Sequence, residues 1–216
     1  VSEGSFSAWL REQCASEWDA VVAHPFAAAI TTGDVPDAAM RRYLEQDFQF
    51  VDSFTALLGA AVAAADTFEA RVPYGRFLGQ VATTEEKTYF HRALEALGGS
   101  TEAATEPVTA EFARLMDDVR RSLDYPLIAA VLCVAEWCYL GWASRLSGPP
   151  PENWVHREWI ELHEGEEFRA WVAFLRGELD RLGPALDAAR RAEVLAVFRR
   201  AVELERRFFD MAGAGH

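Results

Sequence analysis

Basic side chains are scarce in this chain: 21 Lys and Arg stand against 34 Asp and Glu in 216 residues, a formal charge of −13. Such a field repels phosphate backbones and anionic lipid, and the arginines are scattered, so neither nucleic acid nor membrane is expected as a partner. Cysteine is equally sparse. The three present, at 14, 133 and 138, make no CxxC pair and no even set for a disulfide framework. No signal-like start and no apolar run near twenty residues stands out, so a reducing, cytoplasmic setting is expected. Val/Ile/Thr-rich alternating stretches bounded by turns are missing, which argues against sheets. Repeats, heptad arrays and low-complexity tracts are missing too.

What is there is apolar periodicity of three to four, throughout a chain that is 50% hydrophobic. The expectation is all-α, with one domain over 1–216 and a frayed tail at 213–216. Breakers divide the pattern into helices at about 6–23, 25–32, 37–65, 67–97, 106–122, 125–147, 152–164, 166–181 and 185–212. Long helices on short loops pack largely antiparallel, with ligand space in the bundle interior. Fourteen Phe, seven Trp and five Tyr suit a pocket for a flat heteroaromatic ligand or, equally, an aromatic-rich core.

Three acids sit in apolar helical stretches. In Tyr43-Leu44-Glu45-Gln46-Asp47-Phe48, helical spacing puts Asp47 on one face with Tyr43, Leu44, Val51 and Phe54. An ionised carboxylate there costs several kcal/mol unless it is compensated, so it is either functional or paired with a core Arg or Trp N–H. Glu136 lies in Ala130–Leu140, on a face with Cys133 and near Tyr139; burial would move it toward giving and taking protons near neutrality, and core glue is the alternative. Glu205, ahead of Phe208-Phe209, has Arg199, Arg200, Arg206 and Arg207 close in sequence, so ordinary surface pairing competes with function. A dinuclear metal site from Glu86, His91, Glu136, His163 and Glu167 is a further alternative, although Glu86 and His91 are five apart and fall off a common face.

His24-Pro25-Phe26, Tyr43-Leu44-Glu45-Gln46-Asp47-Phe48, Glu136-Trp137-Cys138-Tyr139, Trp159-Ile160 with Phe168, and Glu205 before Phe208-Phe209 together resemble the TenA (thiaminase II) family over nearly the whole chain. The resemblance implies the haem-oxygenase-like all-α fold, usually a homotetramer, with a pyrimidine pocket inside the bundle and no cofactor. It implies that Asp47 binds the ring nitrogen and exocyclic amine of an aminopyrimidine, and that Glu205 carries the proton near the leaving amine. Phe50, Tyr139, His163, Phe208 and Phe112 would form the rest of the substrate site.

Departures from the pattern refine this. The best-known branch has a nucleophilic cysteine four residues before the tyrosine at 139, where this chain has Ala135; Cys133 would serve only with the helix shifted by two residues. Tyrosines of that branch fall at Phe50, His163 and Phe112 here. Glu136 three residues before Tyr139 resembles a second branch, which lacks the cysteine and is associated with salvage of degraded thiamin pyrimidines, including the N-formylated aminomethyl form. The expected function is therefore an aminopyrimidine-processing hydrolase using acid-base catalysis by Glu205 and Glu136. A haem-oxygenase-like dimetal oxygenase and a non-catalytic pyrimidine-binding or regulatory protein are the rivals.

Overall fold

Proline and capping side chains set most of the helix starts. In the computed structural model, which describes residues 4–146 and 148–213 apart from the side chains of 84–87, Ser5 caps α1 (Phe6–Gln13), and α2 (Ala15–Val22) follows at once. Helix α3 (Pro25–Thr32) starts on Pro25, with His24 Nδ1 accepting the Phe26 N–H at 3.1 Å, and ends on Gly33 at φ 79°. The long α4 (Asp37–Ala64) follows. Then come α5 (Phe68–Gln80), a π-helical segment (Val81–Phe90) and α6 (His91–Leu97). Pro107 opens α7 (Pro107–Ser122), and Asp124 caps α8 (Tyr125–Ala143). Helices α9 (Trp154–Glu164), α10 (Glu166–Leu182) and α11 (Ala188–Gly213) complete the chain.

The all-α expectation holds, with no strand among the described residues. Several boundaries differ. The helix expected over 6–23 breaks at Cys14, whose N–H bonds back three residues to the Arg11 carbonyl at 3.1 Å, a tightened turn that re-aims the chain. The helix expected over 67–97 keeps its length but passes through the π-helical segment, where the ladder slips by one residue. Helix α8, expected to reach 147, ends at Ala143, and α11, expected from 185, starts at Ala188; of the expected frayed tail, Gly213 closes α11, whereas 214–216, like Ser147, lie outside the described residues.

Helix α8 is the axis of the core. It is long and apolar enough to cross a membrane, with a mean hydropathy of 1.5, contrary to the expectation that no such run exists. Fifteen of its residues are buried, because α2, α4, α9, α10 and α11 pack around it. A helix that is hydrophobic all round fits the centre of a bundle. Only one acid, Glu136, interrupts it.

Close approach pins the N-terminal helix to the far end of the bundle. A Cβ at Gly183 would sit 2.5 Å from Phe6 Cβ and Cγ. Gly183→Ala is expected to cost about 1–3 kcal/mol by overpacking, seen as a Tm lowered by several degrees with the helical circular dichroism unchanged.

Candidate active site

Three helices bring the cavity walls together. Helix α4 contributes Asp47, Phe50, Val51 and Phe54; α8 contributes Ala135, Glu136 and Tyr139; α9 contributes Trp159 and His163. They enclose a cavity of about 40 Å³, room for about three waters. Asp47, Glu136, Tyr139 and His163 are each at least nine-tenths buried, as the apolar character of their helices requires.

Glu205, on α11, is not among the residues that line the cavity. It is 2% exposed, and its Oε1 has no hydrogen-bond partner. The arginines that could have drawn it to the surface are engaged elsewhere: Arg199 bonds the Gln13 carbonyl, Arg200 and Arg207 clasp Glu111, and Arg206 pairs with Asp210. Burial, then the negative fields of Asp47 and Glu136, raise the Glu205 carboxyl well above the ordinary 4.5. That field places the three acids in one electrostatic unit, although they are distant in sequence. The protonated form of Glu205, the form that can give a proton, is accordingly favoured.

Aromatic side chains supply the rest. Tyr139 and Tyr43 join hydroxyl to hydroxyl at 2.7 Å. Burial first, with Asp47 next, holds both phenols well above 10, so they stay protonated. The His163 ring lies 4.9 Å from that of Tyr139 and 4.4 Å from that of Trp159, and its Nδ1 is 2.8 Å from the Trp159 carbonyl oxygen. Burial holds this imidazole down to about 4.

Residues 11–214 match the TENA/THI-4/PQQC family. The chain belongs to that family. A relative named aminopyrimidine aminohydrolase, from Halalkalibacterium halodurans, is 27% identical over 96% of this chain and 95% of its own. A second relative of that name, from Helicobacter pylori, is 24% identical over 95% and 97%. A solved structure described as a TenA family transcription regulator, from Silicibacter sp., gives a TM-score of 0.86 at 22% identity, covering 98% of this chain and 97% of that one. A TenA homologue from Pyrococcus furiosus gives 0.86 at 17% identity, over 96% and 99%. These likenesses establish the haem-oxygenase-like all-α fold.

Within this TENA/THI-4/PQQC bundle, some of the expected site residues meet and others do not. Asp47, Phe50, Glu136, Tyr139 and His163 share the cavity. Phe112 and Phe208 stand one layer out, with ring centroids 4.9 Å and 6.4 Å from Phe50. Cys133 does not take the nucleophile's place: it is fully buried off the cavity, and burial pushes its thiol far up, while Ala135 lines the wall. The reason is helical geometry, since two residues on an α-helix differ by about 200° in direction.

Of the residues weighed for a metal, Glu136 and His163 share the cavity, and the others do not join them among the described residues. The His91 ring packs on Phe48, and Glu167 lines a separate groove with Arg76 and Trp171. The side chain of Glu86 lies outside the described residues. Sequence reasoning missed Trp159 and Tyr43 as parts of the site, although both lie in the quoted motifs.

Proposed function

We propose that this protein is an aminopyrimidine hydrolase of thiamin-pyrimidine salvage, acting by acid-base catalysis without a thiol nucleophile. The observation that carries the reading is that Asp47 and Glu136 line one ring-walled cavity with alanine at 135, while their fields reach the buried Glu205 behind it. The printed names of the relatives from H. halodurans and H. pylori support the substrate class.

Hydrolysis of an aminomethylpyrimidine replaces C–NH₂ by C–OH and releases ammonia. Asp47 is suited to hold the aminopyrimidine, because a carboxylate accepts N–H donors in charge-assisted bonds. Glu205, neutral, gives its proton to the leaving nitrogen as the C–N bond breaks. Glu136 takes the proton of the attacking water, and proton return between the two acids resets the site. Such proton transfers contribute about 10²–10⁴-fold each. The half-buried Phe50 and Val51 stand on the cavity wall, where they meet the bound ring.

The net charge of −13 favours a small-molecule partner over nucleic acid or anionic membrane. A cytoplasmic homo-oligomer, tetramer or dimer, belongs to the same reading.

The deciding experiment incubates purified protein with the 5-aminomethyl, 5-formylaminomethyl and thiamin forms and follows hydroxymethylpyrimidine by chromatography. Turnover of an amine or formamide form is expected. Binding without product from any of them would leave a non-catalytic pyrimidine-binding protein. Asp47→Asn is expected to weaken hydroxymethylpyrimidine binding by roughly ten- to a hundredfold, as a charged hydrogen-bond acceptor is lost; calorimetry measures it, and wild-type affinity would remove Asp47 from the site.

A further inference from the structure

We propose that His163 determines ligand specificity in this cavity as a fixed hydrogen-bond acceptor, its Nε2 receiving an N–H of the bound heterocycle and disfavouring a ligand that presents a lone pair there. The inference rests on the aminopyrimidine reading and assigns a polarity to one wall of that site.

Nδ1 of His163 is 2.8 Å from the Trp159 carbonyl oxygen. A carbonyl only accepts, so Nδ1 carries the proton and Nε2 of the neutral ring is left with its lone pair. Nε2 has no hydrogen-bond partner among the described residues, yet it is not among the buried polar atoms sealed without one; both nitrogens of His156, 1% exposed, are sealed in that way. Because His163 is 7% exposed and lines the cavity, its remaining accessible nitrogen opens onto that space.

The ring is held in this orientation. Trp159 and Tyr139 lie at 4.4 and 4.9 Å between centroids, Phe168 at 5.1 Å and Trp142 at 6.2 Å. A ring flip would give up the Nδ1 hydrogen bond and move through that aromatic packing. The titratable groups sharing the cavity with it are Asp47 from α4, and Glu136 and Tyr139 from α8, with Glu205 of α11 outside the lining. Burial keeps the imidazole uncharged well below neutrality, so Nε2 does not switch to a donor in the working range. The same property makes it a poor proton acceptor in catalysis, since general bases work best near the operating pH. His163 is therefore a positioning residue. A site built to bond a ligand N–H discriminates against analogues lacking it, because the buried partner is left unpaired.

The test uses the full chain, ¹⁵N-labelled at histidine, with hydroxymethylpyrimidine and its aminomethyl form as probes. Without ligand, the His163 resonances should report the Nδ1–H tautomer from pH 5.5 to 8. At saturation, the Nε2 resonance should move in the direction of hydrogen-bond acceptance while Nδ1 stays protonated. His163→Phe should weaken binding of either probe by about ten- to a hundredfold. An Nε2–H tautomer, an unmoved Nε2 resonance at saturation, or H163F affinity within twofold of wild type overturns the inference and leaves the aminopyrimidine reading standing. Wild-type protein that binds neither probe removes both. Should H163F not fold, the wild-type spectra decide alone.

Discussion

Glu205→Gln is expected to lower turnover by about 10²–10⁴-fold and at the same time to make the protein more stable at neutral pH. The first effect follows if the acid supplies the leaving nitrogen with its proton, for which an amide is no substitute. The second follows from the environment alone. Glu205 is 2% exposed, its Oε1 is unpartnered, and burial with the fields of Asp47 and Glu136 raises its carboxyl well above 4.5. Below the unfolded value of about 4.5 the group is neutral in both states and costs nothing through ionisation. Above it the unfolded chain ionises while the native chain does not, so stability falls as pH climbs toward the raised native value. Glutamine has no such ionisation. A gain in stability is expected, read by urea denaturation at pH 7.5 and shrinking toward pH 4. Near-wild-type kcat in this variant would remove Glu205 from the chemistry; lost kcat with lowered stability would mean that the acid is structural.

The helix pattern was legible because its punctuation is chemical. Pro25, Pro107 and Pro126 fall in first turns and Gly33 takes positive φ, roles that few other residues fill. Cys14 was not legible as a break, since neither its side chain nor its neighbours forbid a helix. The π-helical slip at 81–90 likewise has no composition to announce it. Acids in apolar helices marked Asp47 and Glu136 directly, whereas Glu205 was ambiguous in one dimension. Its four flanking arginines could all have been its partners, and only the fold shows them turned to Gln13, Glu111 and Asp210. Cys133 shows the converse. A two-residue offset looks small along the chain, yet it turns the thiol to the opposite side of α8. The tautomer of His163 depends on a carbonyl oxygen whose availability sequence does not encode.

Acid should destabilise this fold through its buried histidines, and His163→Phe should isolate the effect. Burial holds native His163 down to about 4 against 6.5 when exposed. Between those values the unfolded chain binds a proton that the native chain refuses, so stability is full above about 6.5 and falls as pH drops toward 4. Two and a half units correspond to about 3 kcal/mol over the whole window. His156, also lowered by burial, acts in the same direction. Glu205 acts in the opposite one, losing stability as pH rises above 4.5, so the wild-type profile alone mixes the two signs. Subtracting the H163F profile removes whatever both proteins share, including the contributions of Glu205 and His156. The lost Trp159 bond and the changed packing enter that difference as a constant, because neither titrates. The stability of wild type relative to H163F should therefore fall by about 2–3 kcal/mol between pH 7.5 and 4.5, measured by chemical denaturation at each pH. A difference that stays flat would mean that the native imidazole takes up its proton as readily as the unfolded one. Nε2 would then carry a hydrogen in the cavity over part of the working range, and a donor could not select an N–H ligand. The same measurement thus bears on stability and on the polarity of the pocket wall.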